Sequence, residues 1–467
     1  MPVRALALFA LLGLTTVSAQ DVAAPLTIQG LDQQAAPGAR ARAMGSVRAA
    51  GLTTSAGLFS NPASLAALDQ AEVRLGGGLA AQRYSQGQTW VPNRFYLELS
   101  LLFENDPTSP NPTKAFDDIR PDWDHDQSST RPTLGSVAAP LPFAPGGVAI
   151  TAGVGVAQLA NLDHYFQNNN ALDPNIGTLR PAPIPRIILE GDSLMVNWTQ
   201  FIRQREGALY GVTPALALRR GPFTLGASVT VMSGSSDDLQ QTLDRGLFTL
   251  RDRNQFDLAA PTGGTTTLTG SSDYSGTRFA LAGTYDLGAL VANAVWQPGY
   301  TLDRTWNWSD GTGGTDEVAF PSEVTLGASV SPSSRVRVAG DVSLGSWGEA
   351  DVLYEGATET VAPWVSGAEF HLGAEFQAFP WLALRGGYHE DARAFAPAGA
   401  ALLENPARAD VFGTGVGLVF GGLAVDLTYE LSNLRYRDLW LSNENANQLT
   451  THSVLFEAAY TLPILAR

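Results

Sequence analysis

From residue 71 to the C-terminus the chain alternates apolar and polar side chains with a period of two. In residues 223–231 every odd-numbered side chain is apolar and every even one is small or carries a hydroxyl. Because successive strand side chains point to opposite faces, such a stretch predicts a strand with one apolar face. Fourteen stretches of this kind follow one another, separated by clusters of Gly, Pro, Asn and Asp.

Two classes of fold satisfy this pattern: an exported β-sandwich or propeller that buries its apolar faces, and a transmembrane barrel that shows them to lipid. The connections decide between them, because tight ones such as 219–222 and 421–422 alternate with long ones such as 161–207 and 234–273. Strands of nine to fourteen residues also match the ~9 to 11 that cross a bilayer at a tilt. Closure of the sheet removes every exposed edge. The sequence therefore predicts an all-β fold, a 14-stranded antiparallel transmembrane β-barrel.

The polar faces of the predicted strands carry charge. In lipid each such group costs up to a few kcal/mol near the midplane, so these side chains are expected to face a wet or salt-bridged lumen. They are Arg278, Asp286, Arg337, Asp341, Glu369, His371, Glu375, Arg385, Asp426, Glu430 and Glu457.

The first nineteen residues predict export. Arg4 precedes an apolar run over residues 5–14, and the small residues ending at Ala19 form a signal-peptidase pattern. No later segment approaches the ~20 apolar residues of a spanning helix. The chain has no Cys, which excludes disulfides and thiolate metal sites, and we expect no cofactor. Its net charge is −16 with Lys114 as the only lysine, so nucleic acid is not expected as a partner.

Before the first strand lies a segment that alternation does not explain. It contains the run Gly38-Ala39-Arg40-Ala41-Arg42-Ala43-Met44-Gly45 and, after more small residues, Asn61-Pro62-Ala63. Here the sequence resembles the FadL-type family of outer-membrane transporters for long-chain fatty acids and other hydrophobic compounds. Residues 320–327, 339–343 and 384–388 also fit that family. The resemblance implies a signal peptide at 1–19, an N-terminal hatch in the lumen at 20–70, and the barrel with long extracellular loops at 71–467. The implied hatch motif is Gly38, Arg42, Gly45, Asn61, Pro62 and Ala63.

The same resemblance implies a function. Family members bind a hydrophobic molecule and release it sideways through a gap in the barrel wall where the third strand kinks. That strand is residues 148–159, and Gly153 and Gly155 are the candidate kink residues. Val22, Leu26 and Ile28 are candidates for lining a ligand pocket beneath the hatch. The implied location is the outer membrane of a diderm bacterium, and the implied partners are a hydrophobic small-molecule or fatty-acid ligand, outer-membrane lipid and the barrel assembly machinery.

Several alternatives stay open at this point. Residues 91–104 alternate as well, which fits an extracellular hairpin or a strand pair that would raise the strand count to sixteen. The acidic loop from Asp117 to Asp126 fits a calcium site or a solvated acidic surface, but it lacks the Gly and Glu of an EF-hand.

The chain carries none of the sequence signals of an enzyme active site. Gly-x-Ser-x-Gly, a Walker loop and His-Glu-x-x-His do not occur, so we expect a protein that is not an enzyme. The alternative to transport is a barrel that serves envelope architecture or docks exported proteins.

Overall fold

The barrel consists of fourteen strands, numbered β1 to β14. The computed structural model describes residues 26–31, 33–34, 36–50, 53–90, 122–168, 193–251, 255–259, 264–345, 349–361, 367–393, 401–402, 407–440 and 443–462. The strands are β1 Ala71–Trp90, β2 Trp123–Pro140, β3 Ala149–Asn161 with His164–Asn168, β4 Ser193–Arg220, β5 Phe223–Arg251, β6 Thr265–Asp286, β7 Leu290–Gln297 with Tyr300–Trp308, β8 Gly313–Phe320 with Glu323–Ser333, β9 Val336–Gly345 with Asp351–Leu353, β10 Gly367–Phe379, β11 Leu382–Arg393, β12 Ala407–Phe420, β13 Leu423–Trp440 and β14 Asn443–Leu462. Two short strands, Gln255–Ala259 and Ala401–Leu402, pair with β5 and β13.

The sheet closes on itself. Each strand pairs antiparallel with the next, and β14 pairs with β1 from Ala71 opposite Leu462 to Trp90 opposite Asn443. The predicted fourteen-stranded antiparallel barrel is therefore confirmed. β1 also pairs directly with β2, which leaves no place between them for a further strand pair. Residues 91–104, where that pair was considered, lie outside the described residues.

The connections are tight at one end of the barrel, as predicted. β4 and β5 are joined through Gly221 and β12 and β13 through Gly421, both with the positive φ that glycine adopts readily. The predicted long loops differ from the structure, because residues 193–207, 234–251 and 265–273 are strand. Apolar and polar residues do not alternate regularly in these extensions, because Leu194, Met195 and Val196 are consecutive and residues 234–238 are all small or acidic. Hydrophobic periodicity therefore gave no signal for them.

An apolar belt surrounds the lower and middle part of the barrel. Its exposed side chains include Leu75, Leu79, Val156, Val212, Leu216, Leu225, Phe279, Leu281, Leu326, Leu344, Phe370, Leu372, Phe412, Leu427 and Phe456. Tyr285, Trp381, Phe420 and Tyr460 are exposed at the tight-turn end, where outer-membrane barrels carry a girdle of aromatic residues at the membrane interface. Such a belt has its favourable surroundings in hydrocarbon, and the barrel is transmembrane.

The described helices are short. They are α1 Ala39–Ala43 and the 3₁₀ turns Ser55–Phe59, Pro62–Ala67 and Pro145–Gly147. None of the helices within the described residues is long and apolar enough to cross a membrane.

The described residues of 26–70, which we call the lumen segment, lie inside the barrel. Their hydrogen-bond partners are inward-facing side chains of strands all round the wall, from β1 through β4, β7, β9, β10, β13 and β14. Most of the charged strand residues predicted to face the lumen do so, and several of them hold this segment. The barrel is therefore filled rather than open.

Candidate functional site

Helix α1 of the lumen segment is fixed to the wall by charge. Arg40 donates two hydrogen bonds to Glu375 of β10, at 2.9 Å from Nε and 2.6 Å from Nη2. Arg42 makes the same two-point contact with Glu430 of β13. The backbone N–H of Ala39 donates to Glu457 Oε2 of β14 at 2.8 Å. Bidentate guanidinium–carboxylate pairs are geometrically demanding, so they set both the position and the orientation of the helix.

Glu375 and Glu457 also belong to a buried ion network at the base of the barrel. Arg385 bridges Glu375 and Asp426, at 2.6 Å and 2.5 Å, and Arg74 contacts Asp426 and Glu457. The network continues through Glu72 to the lumen segment, where Ser55 donates its backbone N–H and its hydroxyl to that carboxylate. Each buried charge thus has opposite charges or hydrogen-bond donors beside it, as burial requires.

Glycine at position 45 allows the lumen segment to approach the wall closely. Gly45 has φ +68°, and a Cβ at this position would collide with the backbone oxygens of Leu372 and Tyr388. Gly38, with φ +98°, precedes α1. Both glycines of the predicted motif therefore occupy backbone conformations that side chains rarely adopt.

The Asn-Pro-Ala run occupies another close contact with the wall. Asn61 is buried and donates Nδ2–H to the carbonyl of Ala49 at 2.8 Å. Pro62 begins the second 3₁₀ turn, where its missing N–H is harmless, and Pro62 and Ala63 leave no room for a Cβ at Gly226 of β5.

The wall is interrupted between β2 and β3. Their ladder runs from Pro140 opposite Thr151 to Leu134 opposite Ala157 and ends there. Among the described residues, no strand pairing joins residues 123–133 of β2 to residues 158–168 of β3, although β2 stays paired with β1 throughout. The pairing of β2 with β1 shows how deep in the membrane this gap lies. Thr130, on the unpaired side of β2, is opposite Leu79 of β1, and Leu79 is exposed in the apolar belt. The gap thus begins within the apolar belt.

Local sequence explains why the ladder stops. Pro132 has no N–H to donate, and Thr133 is an extra residue that shifts the register against Gly76 and Gly77 of β1. On β3 the register shifts between Gln158 and Ala160, and the strand breaks at residues 162–163. Irregularities on both strands at one level separate their backbones.

Side chains close the gap. Arg131 of β2 donates to both carboxylate oxygens of Asp163, at 2.6 Å and 3.0 Å, and to Asn161 Oδ1 at 2.6 Å. Asp163 is 1% exposed and also accepts the backbone N–H of Gly207 of β4 at 3.0 Å. Higher up, His125 stacks on Tyr165 with ring centroids 3.7 Å apart. The contacts between Arg131, Asn161 and Asp163, which we call the latch, bridge the interrupted wall where backbone pairing does not.

Gly153 and Gly155 lie in the regularly paired part of β3. They face Ala138 and Ser136 of β2, below the irregular stretch at 158–163. A Cβ at Gly155 would meet the ring of Phe59 in the lumen segment, so this glycine provides space for packing.

An apolar cavity of about 350 Å³ lies above the lumen segment, beside the upper halves of β7 and β8. Trp306, Trp308 and Tyr354 form much of its lining, together with Leu26 at the start of the described lumen segment. The volume falls within the ~300–1,000 Å³ of small-molecule sites. Burial raises the pKa of the Tyr354 phenol, so this side chain is neutral at physiological pH.

One stretch of chain connects the cavity with the gap. Arg205 of β4 donates to the carbonyls of Thr27 and Gln29, which holds residues 27–29 in place. A few residues later, Gln33 donates its amide to the carbonyl of Asp163 at 2.7 Å and accepts the N–H of Asn161 on its own carbonyl at 3.1 Å. A displacement of this stretch would therefore change contacts both at the cavity and at the gap.

Sequence reasoning named Gly38, Arg42, Gly45, Asn61, Pro62 and Ala63, and all six lie in the lumen segment against the wall. It missed Arg131, Asp163, Trp306 and Trp308. Pro132 within a predicted strand was the available signal for the gap.

The described residues include no group of His, Asp and Glu side chains suited to a metal ion. Of the acidic loop considered for calcium, Asp117 and Asp118 lie outside the described residues, and Asp124 pairs with Arg83 at 2.7 Å on the surface.

These features define a class: a closed transmembrane β-barrel with a filled lumen, an apolar upper cavity and an interrupted wall. The chain resembles a crystal structure of a Pseudomonas aeruginosa FadL homologue, with a TM-score of 0.59 at 11% sequence identity, covering 91% of this chain and 98% of that one. It also resembles the Pseudomonas putida toluene transporter TodX, with a TM-score of 0.53 at 16% identity, covering 91% and 99%. The chain therefore has the FadL fold, which confirms the resemblance found in the sequence at the level of the fold. No protein-family model matches the chain, and no curated protein does either.

Proposed function

We propose that this protein takes up hydrophobic small molecules across the outer membrane of a diderm bacterium, without a covalent step. The interrupted ladder between β2 and β3 is the observation that carries the proposal. The ligand would bind in the upper cavity and leave through the gap into the membrane. Two of the structures with the same fold are described as a FadL homologue and a toluene transporter, which supports this class of cargo.

The depth of the gap supports lateral release. Backbone groups without partners are costly in hydrocarbon, so a wall opening at the level of Leu79 is not tolerated without a compensating role. A hydrophobic molecule leaving there enters lipid directly and avoids crossing the polar lumen below.

The lumen segment supports the same route by blocking the axial one. The ion pairs of Arg40 and Arg42, together with the close contact at Gly45, seat it firmly across the barrel. We propose that residues 20–70 act as the hatch after signal-peptide cleavage near Ala19. In this proposal Gly38, Arg42, Gly45, Asn61, Pro62 and Ala63 hold the hatch. Below the gap, Gly155 lets β3 pack against the hatch, and Gly153 lets β3 pack against β2.

The cargo within this class is long-chain fatty acids or other hydrophobic compounds. Outer-membrane lipid and the barrel assembly machinery are the proposed cellular partners of the barrel itself.

Uptake in a host lacking its own fatty-acid porin tests the proposal. Folded protein is first confirmed in the outer membrane by heat-shifted gel mobility, and uptake of labelled oleate and labelled toluene is then compared with an empty vector. We expect saturable uptake of at least one compound above the vector. A folded barrel that raises the uptake of neither, but retains a stoichiometric protein partner on mild detergent extraction, would instead favour the scaffold alternative.

A further inference from the structure

The charges around the upper cavity bear on which hydrophobic molecules it accepts, and this inference rests on the proposed function. Arg304, on the upper half of β7, is the one cation among the described residues lining the cavity, and it is 1% exposed. It is therefore the cationic partner that the described lining offers to a fatty acid or any other carboxylate.

Arg304 is already occupied on all three nitrogens. Its Nη1 donates to Asp316 Oδ2 at 2.6 Å, its Nη2 to the carbonyl of Leu26 at 3.0 Å, and its Nε to Ser272 Oγ at 3.1 Å. A second carboxylate is also nearby, because Asp238 Oδ2 lies 3.6 Å from Nη2. A ligand carboxylate would therefore have to share a guanidinium whose positive charge is already balanced by the carboxylates of Asp316 and Asp238.

The acidic groups of the lining add to this effect. Asp316 and Glu355 both line the cavity, so the described lining carries two formal negative charges against one positive charge. Both carboxylates are held in place, because Asp316 accepts the N–H of Glu355 at 3.0 Å and Glu355 accepts the N–H of Thr315 at 2.7 Å. An anion entering this space is repelled, whereas a neutral molecule is not.

The remaining lining suits rings. Trp306, Trp308 and Tyr354 offer flat apolar surfaces, and such side chains stack favourably on aromatic and other planar ligands. From the charge-paired guanidinium, the acidic lining and these rings, we propose that the cavity binds neutral ring-containing molecules and rejects the corresponding carboxylates.

Two matched ligands test this proposal: 4-ethyltoluene and 4-ethylbenzoate, which differ little except that a carboxylate replaces a methyl group. Their binding to the full-length protein in detergent is measured by titration calorimetry at neutral pH, with titration into detergent alone subtracted. We expect 4-ethyltoluene to bind at least tenfold more tightly than 4-ethylbenzoate. Equal or tighter binding of 4-ethylbenzoate by the unmodified protein overturns the proposal.

The variant Asp316→Asn sharpens the test, because it removes one negative charge and weakens the hold on Arg304 with little change of shape. It is expected to shift the preference toward 4-ethylbenzoate by at least fivefold. Asp310→Asn is the matched control: Asp310 lies in the exposed turn between β7 and β8, so the same loss of charge occurs away from the cavity. Equal shifts in both variants would contradict a local effect. Glu355→Gln is the second cavity variant if Asp316→Asn fails the gel-mobility test of folding.

The outcomes separate this inference from the proposed function. Saturable uptake of a neutral compound, together with neutral binding that Trp306→Ala and Trp308→Ala leave unchanged, would place the site elsewhere and leave the transport proposal standing. Charge-selective binding in the cavity without uptake by cells would support this inference and contradict the proposed transport function.

Discussion

At the scale of single residues, the lumen segment is positioned by a few contacts that tolerate little change. The pair between Arg42 and Glu430 and the close approach at Gly45 are two of them. Both positions could be identified in the sequence through the resemblance to the FadL-type family, which implied Arg42 and Gly45 as part of its N-terminal motif. Their partners on β10 to β14 could not be identified, since those contacts join residues more than 300 positions apart.

The variant Arg42→Leu is expected to destabilise the protein by about 2–3 kcal/mol, because it leaves Glu430 without its ionic partner. The value is below the ~3–5 kcal/mol of fully buried pairs, since the two side chains are 15% and 10% exposed. Guanidinium unfolding of the refolded protein measures it. The double variant Arg42→Leu/Glu430→Leu should recover most of the loss. A double variant as unstable as the single one would show that the unpaired carboxylate is not the cause.

Gly45→Ala is expected to cost more than about 3 kcal/mol, because backbone strain is added to a collision with two carbonyl oxygens. Gly146→Ala is the control: Gly146 has φ +62° in a turn with open space around it, so only the ~1–2 kcal/mol of a left-handed residue applies. The same unfolding assay compares the two variants. Equal losses would contradict the close contact at Gly45.

At the scale of elements, the interrupted strands determine what the wall can do. Fourteen strands and their tight turns followed from alternation and from Gly and Pro positions. The gap between β2 and β3 did not follow from these patterns, because strand pairing is a property of two strands and alternation describes only one. A gap beside the third strand was expected from the family resemblance alone. The cavity could not be predicted from the sequence either. Trp306 and Trp308 lie on a strand extension beyond the apolar–polar alternation that predicted the membrane-spanning strands.

Asp163→Asn is expected to loosen the latch. Hydrogen exchange of the Leu162 amide, which donates to the carbonyl of Gly207 at 3.0 Å, should accelerate at least tenfold, because the charged anchor of this stretch is lost. The Val212 amide on the regularly paired part of β4 is the internal reference. Equal acceleration at both amides would indicate general destabilisation and contradict a local latch.

At the scale of the whole molecule, the barrel and its contents have separate roles. The wall is held by a closed backbone ladder and an apolar belt, neither of which depends on the lumen segment. The fold could be predicted from the sequence because both features repeat along the chain. How full the lumen is could not be predicted, since it depends on where the lumen segment meets the charged inner face.

Deletion of residues 20–68 is therefore expected to leave a folded barrel whose charged lumen fills with water. Its conductance in planar bilayers should rise at least tenfold over that of the full chain. Heat-shifted gel mobility controls for folding. A folded deletion variant with unchanged conductance would contradict the idea that the lumen segment blocks axial passage.

If cargo leaves through the gap between β2 and β3, closing that gap must stop uptake. A reversible cross-link across the gap is the most direct test. The chain has no Cys, so Arg131→Cys/Asn161→Cys introduces the only two thiols, at side chains that now touch at 2.6 Å. A short bis-maleimide with a cleavable disulfide is applied to cells. Uptake of whichever of labelled oleate and labelled toluene the unmodified protein transports is then measured before and after reduction. Each single-cysteine variant serves as a control for the reagent. We expect cross-linking to lower uptake to the level of the empty vector and reduction to restore it. Full uptake through a completely cross-linked wall would contradict lateral release.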